Sequence, residues 1–284
     1  MMELKVIAYA RNGHTDKFGI PRQSREESPI LTRIVFEPEY NVAEALRGIE
    51  GFSHLWIVWG FSETCRVSQS AEAARPLQDD DKTAEVTAVL TWSPTVRPPR
   101  LGGNKRMGVF ATRSPFRPNP IGLSSVKLMA VVYPGKATNR DFDTSKFEHG
   151  FDMKEGRMEL IVSGADMMDG TPIYDIKPYL SFSDSHPDAK NGFAEETKNY
   201  RLEVDWGKFA TDYLPKTDRC RTDIGPIPDR QWMKEVEYIL SQDPRPAYQD
   251  DPAREYKMDY NGWRVVFSVH SKSQVYIHSI YKIG

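Results

Sequence analysis

The sequence predicts a mainly β protein in which a small N-terminal β-barrel domain of non-Rossmann type precedes a small α+β C-terminal domain. Three observations carry this expectation. Short β-branched and aromatic runs, punctuated by Gly, Pro and Asn, recur through the first two-thirds of the chain. No Gly-x-Gly occurs anywhere in the 284 residues, so the tight phosphate turn of a Rossmann layer is missing. Composition turns polar over residues 185–198, and a helical pattern and further strands follow.

Strands are predicted over residues 4–10, 32–36, 54–61, 84–92, 107–111, 125–133 and 157–163. One short helix is predicted over 41–46, with Asn41 as its N-cap. Seven strands with a single short helix favour a closed or nearly closed barrel over an α/β layer. The run His54-Leu55-Trp56-Ile57-Val58-Trp59 is apolar at both parities and predicts a strand buried on both faces, with His54 as a core histidine. The boundary is placed after Asp184, giving domains 1–185 and 186–284. The second domain starts with a strand over 200–206. A helix capped by Asp229 follows, with Trp232, Val236, Ile239 and Leu240 on one face and Pro244 as its stop. Two strands, 263–270 and 274–280, complete it.

Composition excludes several classes. The two cysteines, Cys65 and Cys220, form no Cys-x-x-Cys, so neither a disulfide framework nor a thiolate zinc site is expected. The six histidines are scattered and there is no P-loop, so metal hydrolysis and phosphoryl transfer have no local support. No apolar run approaches the ~20 residues of a membrane span, and the N-terminus lacks signal-peptide features. A soluble, cytoplasmic protein without a metal is expected.

Net charge is only -2, but its distribution is uneven. Residues 86–140 contain no Asp or Glu, and carry +9 against -11 for the remainder. A locally basic surface on a near-neutral protein suits an anionic ligand.

Four segments carry candidate chemistry. Arg113-Ser114-Pro115-Phe116-Arg117-Pro118-Asn119-Pro120-Ile121-Gly122 has three prolines in six residues, which makes a stiff loop that holds two guanidinium groups and an amide. Asp166-Met167-Met168-Asp169-Gly170-Thr171-Pro172, followed by Asp175-Ile176-Lys177-Pro178-Tyr179, packs three carboxylates, a Lys and a Tyr into a short bend. Such a cluster can hold a ribose, a cationic centre or a proton acceptor. Pro21-Arg22-Gln23 lies in a polar loop after the first strand. Gln242-Asp243-Pro244-Arg245-Pro246-Ala247-Tyr248 offers an Arg for phosphate and a Tyr for stacking on a stiff backbone.

These segments, in this order and joined by Gly51-Phe52-Ser53-His54-Leu55-Trp56 and Val96-Arg97-Pro98-Pro99-Arg100-Leu101-Gly102-Gly103, resemble the TrmO (TsaA-like or YaeB-like) family. The likeness runs over residues 3–184 and recurs at the Asp243–Tyr248 segment. It implies a homodimeric β-barrel methyltransferase that uses S-adenosylmethionine to methylate N6 of N6-threonylcarbamoyladenosine at tRNA position 37. Carried over by motif, cofactor contacts fall on Pro21, Arg22, Gln23, Ser62, Glu63, Arg113, Leu123, Asp166, Met167, Met168 and Asp169. Many members have His where this chain has Ser62.

On this reading Asp169 and Tyr179 are the catalytic residues, as proton acceptors. Arg117 and Asn119 hold the substrate's carboxylate or phosphate. Lys177, Arg245 and Tyr248 contact tRNA, and the basic window docks the anticodon stem-loop. The competing readings are a non-enzymatic tRNA-binding module, and a methyltransferase for a small metabolite or another RNA position.

Overall fold

The computed structural model describes residues 3–61, 92–98, 105–134, 136–137, 156–207, 229–245, 249, 251–270 and 273–283. In chain order the first strands are β1 (Ala8–Arg11), β2 (Leu31–Phe36), β3 (His54–Gly60), β4 (Thr95–Val96) and β5 (Met107–Gly108). They are followed by β6 (Ile121–Tyr133), β7 (Lys136–Ala137), β8 (Glu159–Ser163) and β9 (Pro172–Pro178). Six of them pair in the order β3-β9-β1-β2-β8-β6, and β6 returns to β3, so the sheet closes into a barrel. Every one of its pairings is antiparallel. Strand β7 extends the end of β6, while β4 and β5 form a separate ribbon.

Closure gives each strand one interior face, which explains the burial of β3. Leu55, Ile57 and Trp59 point into the core with Ala8, Ile34, Val126 and Leu160, while His54, Trp56 and Val58 are half-buried on the outside. The expectation of a strand buried on both faces is therefore corrected. Strand β2 includes a charge in its burial: Arg33 Nε donates to Glu159 Oε2 at 2.6 Å on β8, the second limb of a bidentate pair completing it. Both partners are satisfied, as a buried charge requires.

A second sheet is made from β10 (Glu203–Asp205), β11 (Tyr256–Tyr260), β12 (Trp263–Val269) and β13 (Gln274–Lys282), ordered β10-β13-β12-β11 with β10 parallel to β13. Helix α1 (Ser181–Asp184) precedes it, and α2 (Arg230–Ser241) packs on it through Trp232, Val236, Ile239 and Leu240. The Asp229 carboxylate accepts from the Trp232 amide at 2.8 Å, the capping expected from the sequence. This core also takes in Ile30 and Phe18 from the segment between β1 and β2. The fold is thus mainly β, a closed six-stranded barrel with a separate C-terminal α+β sheet domain.

Other expectations need correction. No helix caps on Asn41: the segment forms only a 3-10 turn, Ala43–Leu46, and the Asn41 amide instead bridges Gly156 O and the Met158 amide. The strand predicted over 107–111 lasts two residues before a 3-10 turn, Val109–Ala111. Strands β9 and β11 were not predicted. Apart from Trp92, the strand predicted over 84–92 lies outside the described residues.

Candidate functional site

One end of the barrel gathers the exit of β3, the entry of β6 and the loop leading into β9. Gly122 opens it to an aromatic ring, since a Cβ there would lie 2.2 Å from Trp59 Cε2. The space lets the indole lie against β6 and donate from Nε1 to Ser124 Oγ at 2.8 Å. Ser124 in turn donates to Asp166 Oδ1. Burial pushes the Asp166 carboxyl above its usual range, opposed by that hydrogen bond, by its own amide and the Ser24 amide, and by the Arg113 charge. Arg113 Nη1 also donates to Gln23 Oε1 at 2.7 Å. Three sequence segments meet here: Gln23 and Ser24, the proline-braced loop, and the Asp166 bend.

Gly122→Ala is expected to destabilise the protein by roughly 1–3 kcal/mol, because overpacking must displace the indole. Urea unfolding, with Trp59 fluorescence as a second readout, checks it; an unchanged midpoint would exclude the close approach.

The other proposed residues divide. Leu123, between Gly122 and Ser124, is 53% exposed on the outer side of β6. Met167 is core, while Met168 is half-buried. The Asp169 carboxylate accepts from the Asn12 amide at 3.1 Å and lies 3.5 Å from Arg11 Nη1, and its own amide donates to His14 O. Asn12 is buried and ties this bend to Thr32 and Met167 O. Asn119 is exposed. Arg117, by contrast, turns inward: its Nη2 donates to Thr112 O at 2.8 Å and Val109 O at 3.2 Å, bracing its own loop rather than presenting a free fork.

Asp169 and Tyr179 do not meet within one chain. They flank opposite ends of β9, whose seven residues span roughly 23 Å. Tyr179 instead lies 5.5 Å from the Trp56 ring and 6.1 Å from His54, and Lys177 is exposed in a 2.7 Å pair with Asp175. Arg245 is 6% exposed and held in both prongs by Asp243. Ser62, Glu63 and Tyr248 lie outside the described residues. Sequence reading missed Trp59 and Ser124, which become partners only through the pairing of β3 with β6.

The donor set fits S-adenosylmethionine, whose charges are a sulfonium, an ammonium and a carboxylate. Asp166 offers a carboxylate to the cationic groups and exposed Arg113 a guanidinium to the anionic one. Among the described residues no group of three or more His, Cys, Asp or Glu is placed to hold a metal.

Comparison with known proteins agrees with this architecture. The profile of the tRNA-methyltransferase O N-terminal domain matches residues 9–185, and that of the TrmO C-terminal domain matches 200–283. The tRNA (adenine(37)-N6)-methyltransferase of Escherichia coli K12 is 34% identical over 269 residues, covering 93% of each chain. That of Eikenella corrodens is 44% identical over 179 residues, 63% of this chain and 81% of the relative. A crystal structure of TrmO from Pseudomonas aeruginosa superposes with a TM-score of 0.61 at 24% identity, covering 99% of this chain and 97% of that one, a likeness of fold. By both domains and by full-length similarity, the chain belongs to the tRNA-methyltransferase O family.

Proposed function

We propose that this enzyme, an S-adenosylmethionine-dependent tRNA (adenine-37-N6)-methyltransferase like its relatives, acts on N6-threonylcarbamoyladenosine in the anticodon stem-loop. The observation that carries this reading is the meeting of Gln23, Ser24, Arg113, Ser124 and Asp166 at one end of the barrel. When bound, S-adenosylmethionine supplies an electrophilic methyl group on a sulfonium.

The chain's own residues supply placement and proton handling. The N6 of the modified base is urea-like, its lone pair delocalised into a carbonyl, so its proton must leave as the new bond forms. Asp166 is the acceptor best supported by its surroundings, because burial raises its basicity while Ser124 and Ser24 fix its orientation. Asp169 has a weaker claim, being pinned by Asn12 and beside Arg11. Pro21, Gln23, Arg113, Leu123 and the Asp166–Asp169 bend form the donor side, while Arg22, read from the sequence as a cofactor contact, turns to the backbone carbonyls of Asp243 and Arg245. Exposed Asn119 and the basic surface face the RNA. Alignment of N6 with the methyl group contributes alongside proton transfer.

A homodimer is part of the proposal. Trp92, Phe110 and Leu123 are 50%, 77% and 53% exposed, apolar area that a second copy would cover. A cytoplasmic location goes with a tRNA substrate. Among the described residues no helix is long and apolar enough to cross a membrane.

Incubating protein, S-adenosylmethionine and tRNA carrying the threonylcarbamoyl group should add one methyl mass to that nucleoside, read by mass spectrometry of the digest. Methylation of unmodified tRNA alone would refute the substrate assignment. RNA binding with no affinity for the donor would point to the non-enzymatic module.

A further inference from the structure

We infer that the C-terminal domain sets the shape of the donor-binding loop through Arg22, with the Tyr200–Asp243–Arg245 cluster as its latch. The inference rests on the reading that Pro21, Gln23 and Ser24 line the donor site.

The latch begins where α2 ends. Asp243 takes a left-handed conformation, φ 51°, and Pro244 follows, so the chain turns sharply out of the helix. Arg245 grips the Asp243 carboxylate through Nε and Nη2 at 2.8 and 3.0 Å, and Tyr200 Oη donates to the same carboxylate at 3.0 Å. The tightened turn presents two backbone carbonyls to one guanidinium. Arg22 Nη2 donates to Asp243 O at 3.3 Å and to Arg245 O at 2.8 Å.

The next two residues reach elsewhere: the Gln23 side chain accepts from Arg113, and the Ser24 amide bonds Asp166. Three consecutive residues are thus tied to the C-terminal domain, the proline-braced loop and the carboxylate bend. The segment leading to them is built into the C-terminal core. Phe18 packs 6.2 Å from Phe267, and Gly19 has φ +98° where a Cβ would fall 2.6 Å from Met258 Sδ. Ile30, just before β2, is buried in that core too.

Arg22 and Arg245 are therefore positioning residues that act through the loop, and Arg245 has its guanidinium committed to Asp243 rather than to phosphate. The geometry requires donor affinity to depend on residues that never touch the donor.

Calorimetric titration of the full chain with S-adenosylmethionine, without tRNA, tests this. Asp243→Asn suits the left-handed backbone but removes the charge that holds Arg245. It is expected to weaken donor binding about tenfold, with Arg22→Gln similar. The double variant should be no weaker than either single, since both break one linkage. Hydrogen exchange at the amides of residues 19, 20 and 22–24 should accelerate in both while exchange in the barrel strands is unchanged, a local pattern that global destabilisation would not produce. Tyr200→Phe removes one hydrogen bond and keeps the ring; a weakening of a few-fold is expected, and it decides the matter if Asp243→Asn folds poorly.

Wild-type donor affinity in folded Asp243→Asn or Tyr200→Phe overturns the latch. So do additive effects, or an Arg245→Ala variant that loses tRNA affinity with donor affinity intact. Absence of donor binding by the wild-type chain would instead overturn the functional reading itself.

Discussion

Asp166→Asn is expected to lower kcat/KM for methyl transfer by about 10²–10⁴-fold, the contribution typical of a positioned proton acceptor. The substitution is nearly isosteric and keeps an oxygen to accept from Ser124 and the Ser24 amide, so the bend should stay in place. What disappears is the basic lone pair. Because burial raises the Asp166 pKa, its protonated, inactive form persists above the ordinary carboxylate range. The wild-type kcat/KM should therefore rise with pH along a limb displaced upward from that range, and Asp166→Asn should lack the limb. Ser124→Ala should move the limb up further, since it deletes a hydrogen bond that favours the charged form. Single-turnover rates across pH, with donor affinity measured separately, separate this role from donor binding. Full activity in Asp166→Asn would end the assignment. Folded Asp169→Asn combined with Tyr179→Phe is expected to retain the acid limb, whatever its donor affinity, because Asp166 is still in place and the two residues lie at opposite ends of β9.

Much of the barrel was legible as β-branched and aromatic runs punctuated by Gly, Pro and Asn, but in β3 apolar residues at both parities hid the interior face, and only closure turns Leu55, Ile57 and Trp59 inward. Strand β9 escaped because prolines bound it and Asp175 and Lys177 interrupt its apolar pattern, although its neighbours β3 and β1 supply the pairing that overrides propensity. Strand β11 does carry a local signal in its sequence: Asn261 and Gly262, with φ 47° and 77°, are the residue pair of a tight hairpin into β12. At the site, sequence identified charges but not their partners. Arg117 and Arg245 read as free forks for an anion, yet backbone carbonyls hold one and Asp243 the other. The Trp59–Ser124–Asp166 chain joins three segments far apart in sequence, and only strand register and the space left by Gly122 bring them together. The Arg22 linkage was invisible for the same reason, since no local pattern shows a loop between two barrel strands packing into another domain.

Acidification is expected to destabilise the native protein through His14. Its ring is buried 5.1 Å from Tyr260 of the C-terminal domain, and Nε2 has no hydrogen-bond partner among the described residues. Burial lowers its pKa from 6.5 to about 4. Between these values the unfolded chain binds a proton that the folded chain refuses. Stability contributed by neutral His14 is complete above pH 6.5 and falls as pH drops toward 4, where the loss levels off. At about 1.4 kcal/mol per pKa unit, the accumulated loss is about 3 kcal/mol. Asp166 and Glu235, whose pKa values are raised, act in the opposite sense over their own acid range, while Glu27, Asp243 and Asp259, whose values are lowered, add to the loss at the acid end. The difference between wild type and His14→Phe isolates the His14 part. The Phe ring fills the pocket without titrating, and the bonds from the His14 backbone amide to Asn12 Oδ1 and from the Asp169 amide to the His14 carbonyl remain. Denaturant unfolding at half-unit steps from pH 4 to 7 should show the wild type losing about 3 kcal/mol more than the variant. Parallel curves would mean that His14 titrates alike in both states. Because His14 O also accepts from the Asp169 amide, the same acid range should loosen the bend that carries Asp166 before the barrel itself unfolds.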